Sequence, residues 1–106
     1  MTNAMIIFNE QLRLLREGKI GTTGRTLVYA DEDGKHEMQE PEPIHTYAHW
    51  KSLGFIVKRG ERAVAKFGIW KYRSKRTMTD DGQEINEDKM FLREASFFAY
   101  SQVSKA

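Results

Sequence analysis

The chain has 106 residues, with 17 Lys or Arg against 15 Asp or Glu, 40% apolar and 11% aromatic residues, and no cysteine. This is enough for one domain with a modest core, and it excludes disulfides, thiolate metal sites and a cysteine nucleophile. No apolar run approaches the roughly 20 residues that cross a bilayer, and Met1-Thr-Asn-Ala-Met-Ile-Ile-Phe-Asn-Glu10 lacks a basic leader region, so the expectation is a cytoplasmic protein without membrane contact.

Residues 4 to 17 place Met5, Phe8, Leu12 and Leu15 at spacings of three and four, with Glu10, Arg13 and Arg16 on other faces and Gly18 following. The spacing predicts an amphipathic helix of about four turns whose apolar stripe faces the core. Thr26-Leu-Val-Tyr-Ala30 is rich in strand formers, and Asp31-Glu-Asp-Gly34 reads as a turn. Residues 38–43 hold both prolines, which predicts an irregular connection. Thr46 is placed to cap a short helix reaching about Leu53, with Gly54 ending it. Phe55-Ile-Val57 reads as a short strand and Arg59-Gly60-Glu61 as a tight turn. Arg62–Arg73 and Lys89–Gln102 read as long strands of an antiparallel hairpin, joined by a long, mobile polar loop containing Asp81-Gly82. The fold class that follows is α+β in one domain spanning 1–106. An N-terminal amphipathic helix and a short second helix pack on an antiparallel sheet with a long C-terminal hairpin.

Charge is unevenly distributed along this order. From Trp50 to Arg76 there are nine Lys or Arg and one acid, Glu61, a local balance of +8 in a chain whose net charge is +2. Residues 31–42 carry six acids and one lysine, and residues 80–88 carry five acids and no base. These stretches read as solvated loops near 31–43 and 77–88, or as a means of confining nucleic acid to one face. Strand alternation points Ala63, Ala65, Phe67 and Ile69 toward the core and Val64, Lys66, Trp70 and Tyr72 away from it. In the second strand Phe91, Ala95, Phe97 and Ala99 share one face and Met90, Leu92, Phe98 and Tyr100 the other, which predicts a central strand covered by helix. The candidate nucleic-acid contacts are Lys58, Arg59, Arg62, Lys66, Lys71, Arg73, Lys75 and Arg76 for phosphates. Trp70 and Tyr72 are candidates for stacking on bases. The competing reading is that the cations only keep a sheet edge soluble and that the rings pack under a loop.

No catalytic constellation emerges. His45 and His49 are four apart, but Thr46 follows His45, so there is no H-E-x-x-H, and no third ligand is evident. The serines lack a G-x-S-x-G context, and neither a Walker A sequence nor G-x-G-x-x-G occurs. Glu94 is the single acid inside an apolar strand, and a cation on a neighbouring strand is its expected partner. The expectations are no enzyme activity, no catalytic residues, no metal and no cofactor.

Four stretches carry a resemblance: Thr46-Tyr-Ala-His-Trp-Lys-Ser-Leu-Gly54, Val57-Lys-Arg-Gly-Glu-Arg-Ala63, Phe67-Gly-Ile-Trp-Lys71, and Met90-Phe-Leu-Arg-Glu-Ala-Ser-Phe-Phe-Ala-Tyr-Ser-Gln-Val103. In order and spacing they resemble the N-terminal single-stranded-DNA-binding domain of ArdC-type antirestriction proteins, over about residues 44 to 104. The resemblance implies a single-stranded-DNA-binding accessory protein of a plasmid, phage or integrated element. In larger family members this domain precedes a zinc metalloprotease-like domain. These 106 residues hold no H-E-x-x-H, so the expectation carries no protease function and leaves antirestriction activity open. Lys58, Gly60 and Glu61 occupy the family's K-G-E turn, with Arg59 in the position before glycine. Gly60 is expected at positive φ, and Glu61 is expected to fix the turn rather than touch DNA. The expected partner is single-stranded DNA, with room for a separate protein partner. The alternative function is a protein-interaction or inhibitor module whose acidic segments imitate DNA.

Overall fold

The computed structural model describes all 106 residues. Helix α1 (Asn3–Arg16) leads into a hairpin of β1 (Thr22–Asp31) and β2 (Gly34–Pro41). Short β3 (Ile44–His45), helix α2 (Tyr47–Ser52) and β4 (Phe55–Val57) follow. Strands β5 (Ala65–Met78) and β6 (Glu84–Ala99) form the long hairpin, and a 3-10 turn at Tyr100–Gln102 leads to β7 (Val103–Lys105). The architecture is α+β. All pairing is antiparallel, in sheets ordered β1-β2, β3-β6-β5 and β4-β7.

Local chemistry explains the helix boundaries. The Thr2 hydroxyl accepts the Met5 N–H at 3.2 Å and caps the start of α1. At its end Lys19 N–H donates to the Leu14 carbonyl (2.8 Å) and Gly18 N–H to the Leu15 carbonyl (3.1 Å). That wrap needs a left-handed residue, supplied by Gly18 at φ +73°. The helix lies where its spacing predicts, but its buried stripe is different. Leu14 is fully buried, and Ile6, Ile7 and Leu15 pack against the core, while Met5 and Phe8 are exposed. Met5-Ile-Ile-Phe8 is apolar around most of a turn, so the three-and-four spacing fits two stripes, and tertiary packing selects the one through Ile7 and Leu14.

The core lies where α1 crosses the inner half of the long hairpin. Leu14, Ile20, Ile44, Ala65, Ile69, Phe97 and Ala99 form it, with Phe67 stacked on Phe97 at 4.1 Å between ring centroids. A second aromatic cluster holds α2. Trp50 is buried, donates its indole N–H to the Phe98 carbonyl at 2.8 Å, and meets His45 and Phe55 edge-on. The basic turn before β5 is fixed from the other side. Gly60 adopts φ +87°, and the buried Gln102 side chain donates to Glu61 and to the Arg62 carbonyl. The Glu61 N–H closes the turn on the Lys58 carbonyl at 3.1 Å, while its exposed side chain accepts from Gln102.

The rest of the molecule extends well beyond this core. The radius of gyration is 18.6 Å and the extents are 61 × 44 × 22 Å, whereas a compact domain of this length has a radius near 13 Å. Two hairpins account for the excess, each continuing as a two-stranded arm past the packed layer. The β1–β2 arm corrects two expectations. Residues 34–41 are strand, not an acidic loop or irregular connection, and the turn is only Glu32-Asp33, tightened by the Asp33 N–H on the Asp31 carboxylate. The charged residues are compatible with a strand of alternating burial, with Lys35, Glu37 and Gln39 exposed and His36, Met38 and Glu40 half-buried, and the prolines sit where β2 ends. Glu40 bonds Arg25 and Thr23 across the arm, and Tyr29 stacks on His36. The second acidic stretch is also mostly strand. The β5–β6 connection takes only residues 79–83, closed by Thr79 N–H on the Gln83 carbonyl and by the Thr79 hydroxyl on Asp81.

Candidate nucleic-acid interface

Register divides the residues of the β5–β6 ribbon between two faces. Pairs run from Ala65 opposite Phe97 to Met78 opposite Glu84 without interruption. One face carries Ala65, Phe67, Ile69, Lys71, Arg73, Lys75 and Thr77 of β5 opposite Phe97, Ala95, Arg93, Phe91, Lys89, Glu87 and Ile85 of β6. Its inner half is core, and its outer half is cationic. Lys71, Arg73, Lys75, Lys89 and Arg93 face one acid, Glu87, and none of these five cations is in an ion pair. Phe91 lies at the centre of this set with the Arg73 guanidinium 5.5 Å from its ring centroid, a cation–π contact that holds Arg73 in place.

The other face carries Lys66, Trp70, Tyr72, Ser74 and Arg76 opposite Ser96, Leu92, Met90, Asp88 and Asn86. The rings expected to stack on bases therefore project away from most of the cations expected to hold phosphates. Only Lys66 and Arg76 share a face with Trp70 and Tyr72, and Arg76 is paired with Glu84 at 3.1 Å. The Tyr72 and Ser74 hydroxyls bond Asp88, which holds its carboxyl below the ordinary range and raises the Tyr72 phenol. Lys66, Trp70 and Tyr72 share a face as alternation predicts, but Lys71, Arg73 and Lys75 do not join them. Residues 70 and 72 cannot share a face with 71, 73 and 75 on an unbulged strand.

Trp70 is also tied to the helix. Asn3 donates its amide N–H to the Trp70 carbonyl (3.0 Å) and accepts the Trp70 backbone N–H (2.7 Å), while the indole N–H reaches the Met1 carbonyl (3.1 Å). The Asn3 amide thus substitutes for one residue of a further strand at the open edge of β5. Because Trp70 turns both backbone groups outward, Tyr72, Ser74 and Arg76 turn theirs outward too. Beyond Asn3 that edge is unpaired.

The remaining predicted contacts lie elsewhere. Lys58 and Arg59 sit in the turn before β5 and Arg62 just after it, all exposed, and the Lys58 ammonium donates to the Ser101 carbonyl. From Ala65 to Arg76 the strand spans about 36 Å, so the ten predicted residues form no single patch. Lys89, Phe91 and Arg93 join the cationic face although they are not among the predicted contacts. The signal for them was the hairpin register, since whatever lies opposite Lys71 and Arg73 joins their face. Glu94 is exposed opposite Gly68 and makes no ion pair, contrary to the expected cation partner.

Other sites offer less chemistry. His45 and His49 stack at 4.2 Å with planes 13° apart, which sends their in-plane lone pairs side by side rather than toward one ion. Burial, then the His49 charge, pushes His45 below the usual histidine range. No three His, Asp or Glu side chains converge as metal ligands. A cleft of about 900 Å³ runs between α1, the base of the β1–β2 arm and Ser101. Its buried carboxylate, Glu42, is already occupied by Gly21 N–H (2.8 Å), Ser101 N–H (3.1 Å) and the Ser101 hydroxyl (2.8 Å). No helix is long and apolar enough to cross a membrane. No family model, curated protein or solved structure matches the chain.

Proposed function

We propose that this chain is a non-enzymatic, largely sequence-nonspecific single-stranded-DNA-binding domain, and that its contact surface is the outer cationic face of the β5–β6 ribbon. The observation that carries this reading is the set of five unpaired cations around Phe91 on one face, opposed by Glu87 alone. Lys71, Arg73 and Lys75 recur every second residue, about 7 Å apart, a repeat suited to successive phosphates of a stretched single strand. The outward N–H groups of Tyr72, Ser74 and Arg76 add neutral donors along the same edge. Phosphate contacts of this kind carry little base information. The resemblance to the ArdC-type domain points to the same ligand. Of the six acids in residues 31–42, Glu42 is buried, Glu40 is paired with Arg25 and Asp31 with His36, which leaves Glu32, Asp33 and Glu37 as the free acids there on which the alternative of DNA mimicry by an acidic face would rest.

Titration of oligo-dT over a salt series tests the proposal. Five phosphate contacts to a single strand give a log–log salt slope near about −3.5, and Lys71→Ala/Arg73→Ala/Lys75→Ala lowers it to about −1.4. The same triple change weakens binding roughly tenfold or more at low salt, whereas Arg59→Ala changes it by less than about twofold. A triple variant with unchanged affinity and slope overturns the ribbon as the site. Tighter binding to duplex than to oligo-dT overturns the single-strand assignment.

A further inference from the structure

The cationic face leaves the opposite face of the ribbon unexplained. There Trp70 lies opposite Leu92 and Tyr72 opposite Met90, with Met1 beside them. Tyr72, Met90, Leu92 and Met1 are 61, 58, 57 and 72% exposed, and Trp70 is 36% exposed. Together these five side chains leave on the order of 600 Å² in water, at the top of the range for the largest apolar patch on a monomer. That area is also close to what one partner gives a standard protein interface. No layer of the chain covers it, and two-stranded ribbons are marginal on their own in water.

Charge on this face is sorted by strand. The β5 side presents Lys66 and Arg76 and no acid, with Arg76 also 3.1 Å from Glu84 of its own chain. The β6 side presents Glu94, Asp88 and Glu84 and no base. A surface divided lengthwise into a positive and a negative half is complementary to itself under a two-fold axis parallel to the strands. That operation lays β5 of one copy over β6 of the other, bringing Trp70 and Tyr72 onto the partner copy's Leu92 and Met90 rows and basic residues over acidic ones. The perpendicular two-fold lays β5 on β5 and sets Lys66 toward Arg76, and Glu94 toward Asp88, so like charges oppose it.

We propose that the aromatic face of the β5–β6 ribbon is a homodimer interface, occupied by the same face of a second copy with the ribbons stacked face to face and their tips pointing the same way. An isologous contact of this kind is the commonest way for a chain to cover such a patch. It turns both cationic faces outward, which explains why rings and cations are segregated rather than interleaved. Trp70 and Tyr72 then contact protein, and the phosphate contacts of two copies lie on opposite outer surfaces of one four-stranded body. The interface does not depend on the nucleic-acid reading, because it can be measured without nucleic acid.

Sedimentation equilibrium across a protein concentration series is the test. The wild type is expected to reach the mass of a dimer, and Met90→Glu/Leu92→Glu to remain monomeric with unchanged circular dichroism. Val28→Glu, an equivalent change on the exposed β1–β2 arm, is expected to leave the dimer intact. Lys66→Glu/Arg76→Glu and Glu84→Lys/Glu94→Lys should each lose self-association, and mixing the two should restore a dimer. A wild type that stays monomeric throughout overturns the proposal. So does a dimer that survives Met90→Glu/Leu92→Glu, or a folded pair of charge variants that fails to associate on mixing.

Discussion

Between Ala65 and Ile69 one face of β5 is buried beneath α1; from Lys71 onward the same face of the same strand stands in water. Register, pairing partner and backbone geometry do not change across that boundary. What changes is the presence of a second layer. Under the helix the alternating positions read Ala65, Phe67, Ile69, and beyond it they read Lys71, Arg73, Lys75. One hairpin thus serves as half of a core and as a projecting arm, and Asn3, the first residue of α1, marks the division by holding Trp70 at the edge.

The comparison is broken most severely by emptying the inner half. Phe97 is 1% exposed and stacked on Phe67, so Phe97→Ala is expected to cost about 3–5 kcal/mol, a large share of the whole stability of a domain this size. Phe91 occupies the same face of the same strand six residues earlier, and Phe91→Ala should cost about 1 kcal/mol, most of it from the Arg73 contact. Urea unfolding of the two variants measures the difference. Equal losses would mean that the outer ribbon is packed as firmly as the inner half, and the distinction between core and arm would fail.

A smaller effect tests the boundary itself. Asn3→Ala removes two hydrogen bonds to the Trp70 backbone, and the expected cost is about 1–2 kcal/mol for a partly exposed pair. Asn3→Asp keeps the acceptor for the Trp70 N–H and loses only the donor, so an intermediate loss is expected. Amide exchange at Trp70 is the direct measure. It should accelerate in Asn3→Ala while exchange at Ile69, on the paired side of the strand, changes less. Uniform acceleration along β5 would show that Asn3 supports the whole hairpin rather than its edge.

Much of the inner half was legible in the sequence. Periodicity placed α1 and pointed Ala65, Phe67 and Ile69 toward the core, with Ala63 half-buried outside it, while Thr46 and Gly54 bounded α2. The arms were harder to read because their half-buried positions are mostly polar or charged, as His36 and Glu40 are in β2, and leave no hydrophobic alternation. Glu37, Gln39 and Glu40 make β2 read as a loop although Met38 lies half-buried among them, and Glu84 to Asp88 continue β6 under the same disguise. The candidate contacts were found by charge along one strand, and charge density does not say which face a residue joins. Alternation alone could already separate Lys71, Arg73 and Lys75 from Trp70 and Tyr72. Adding Lys89, Phe91 and Arg93 required the register, which is set by a five-residue tip that the acidic composition made look longer.

The two halves should also part company in their response to acid, and here the expected effect is smallest. At the base, His45 pairs with Phe98 in the sheet and stacks on His49, and burial holds its pKa below the ordinary 6.5. The folded state therefore favours neutral His45. Its contribution is fully present above about pH 6.5 and is lost as pH falls through the lower folded value. In the arm, Tyr72 and then Ser74 depress Asp88 below 3.8, so that contribution is present above about pH 4 and disappears only on further acidification. Thermal melts of the wild type should decline first as pH falls below about 6.5, and His45→Phe, which keeps a ring against His49, should flatten that step alone. Asp88→Asn should leave the first step in place and alter only the more acidic one. If His45→Phe declines as the wild type does, the first step belongs to another group, and the base of the hairpin loses its separate acid response.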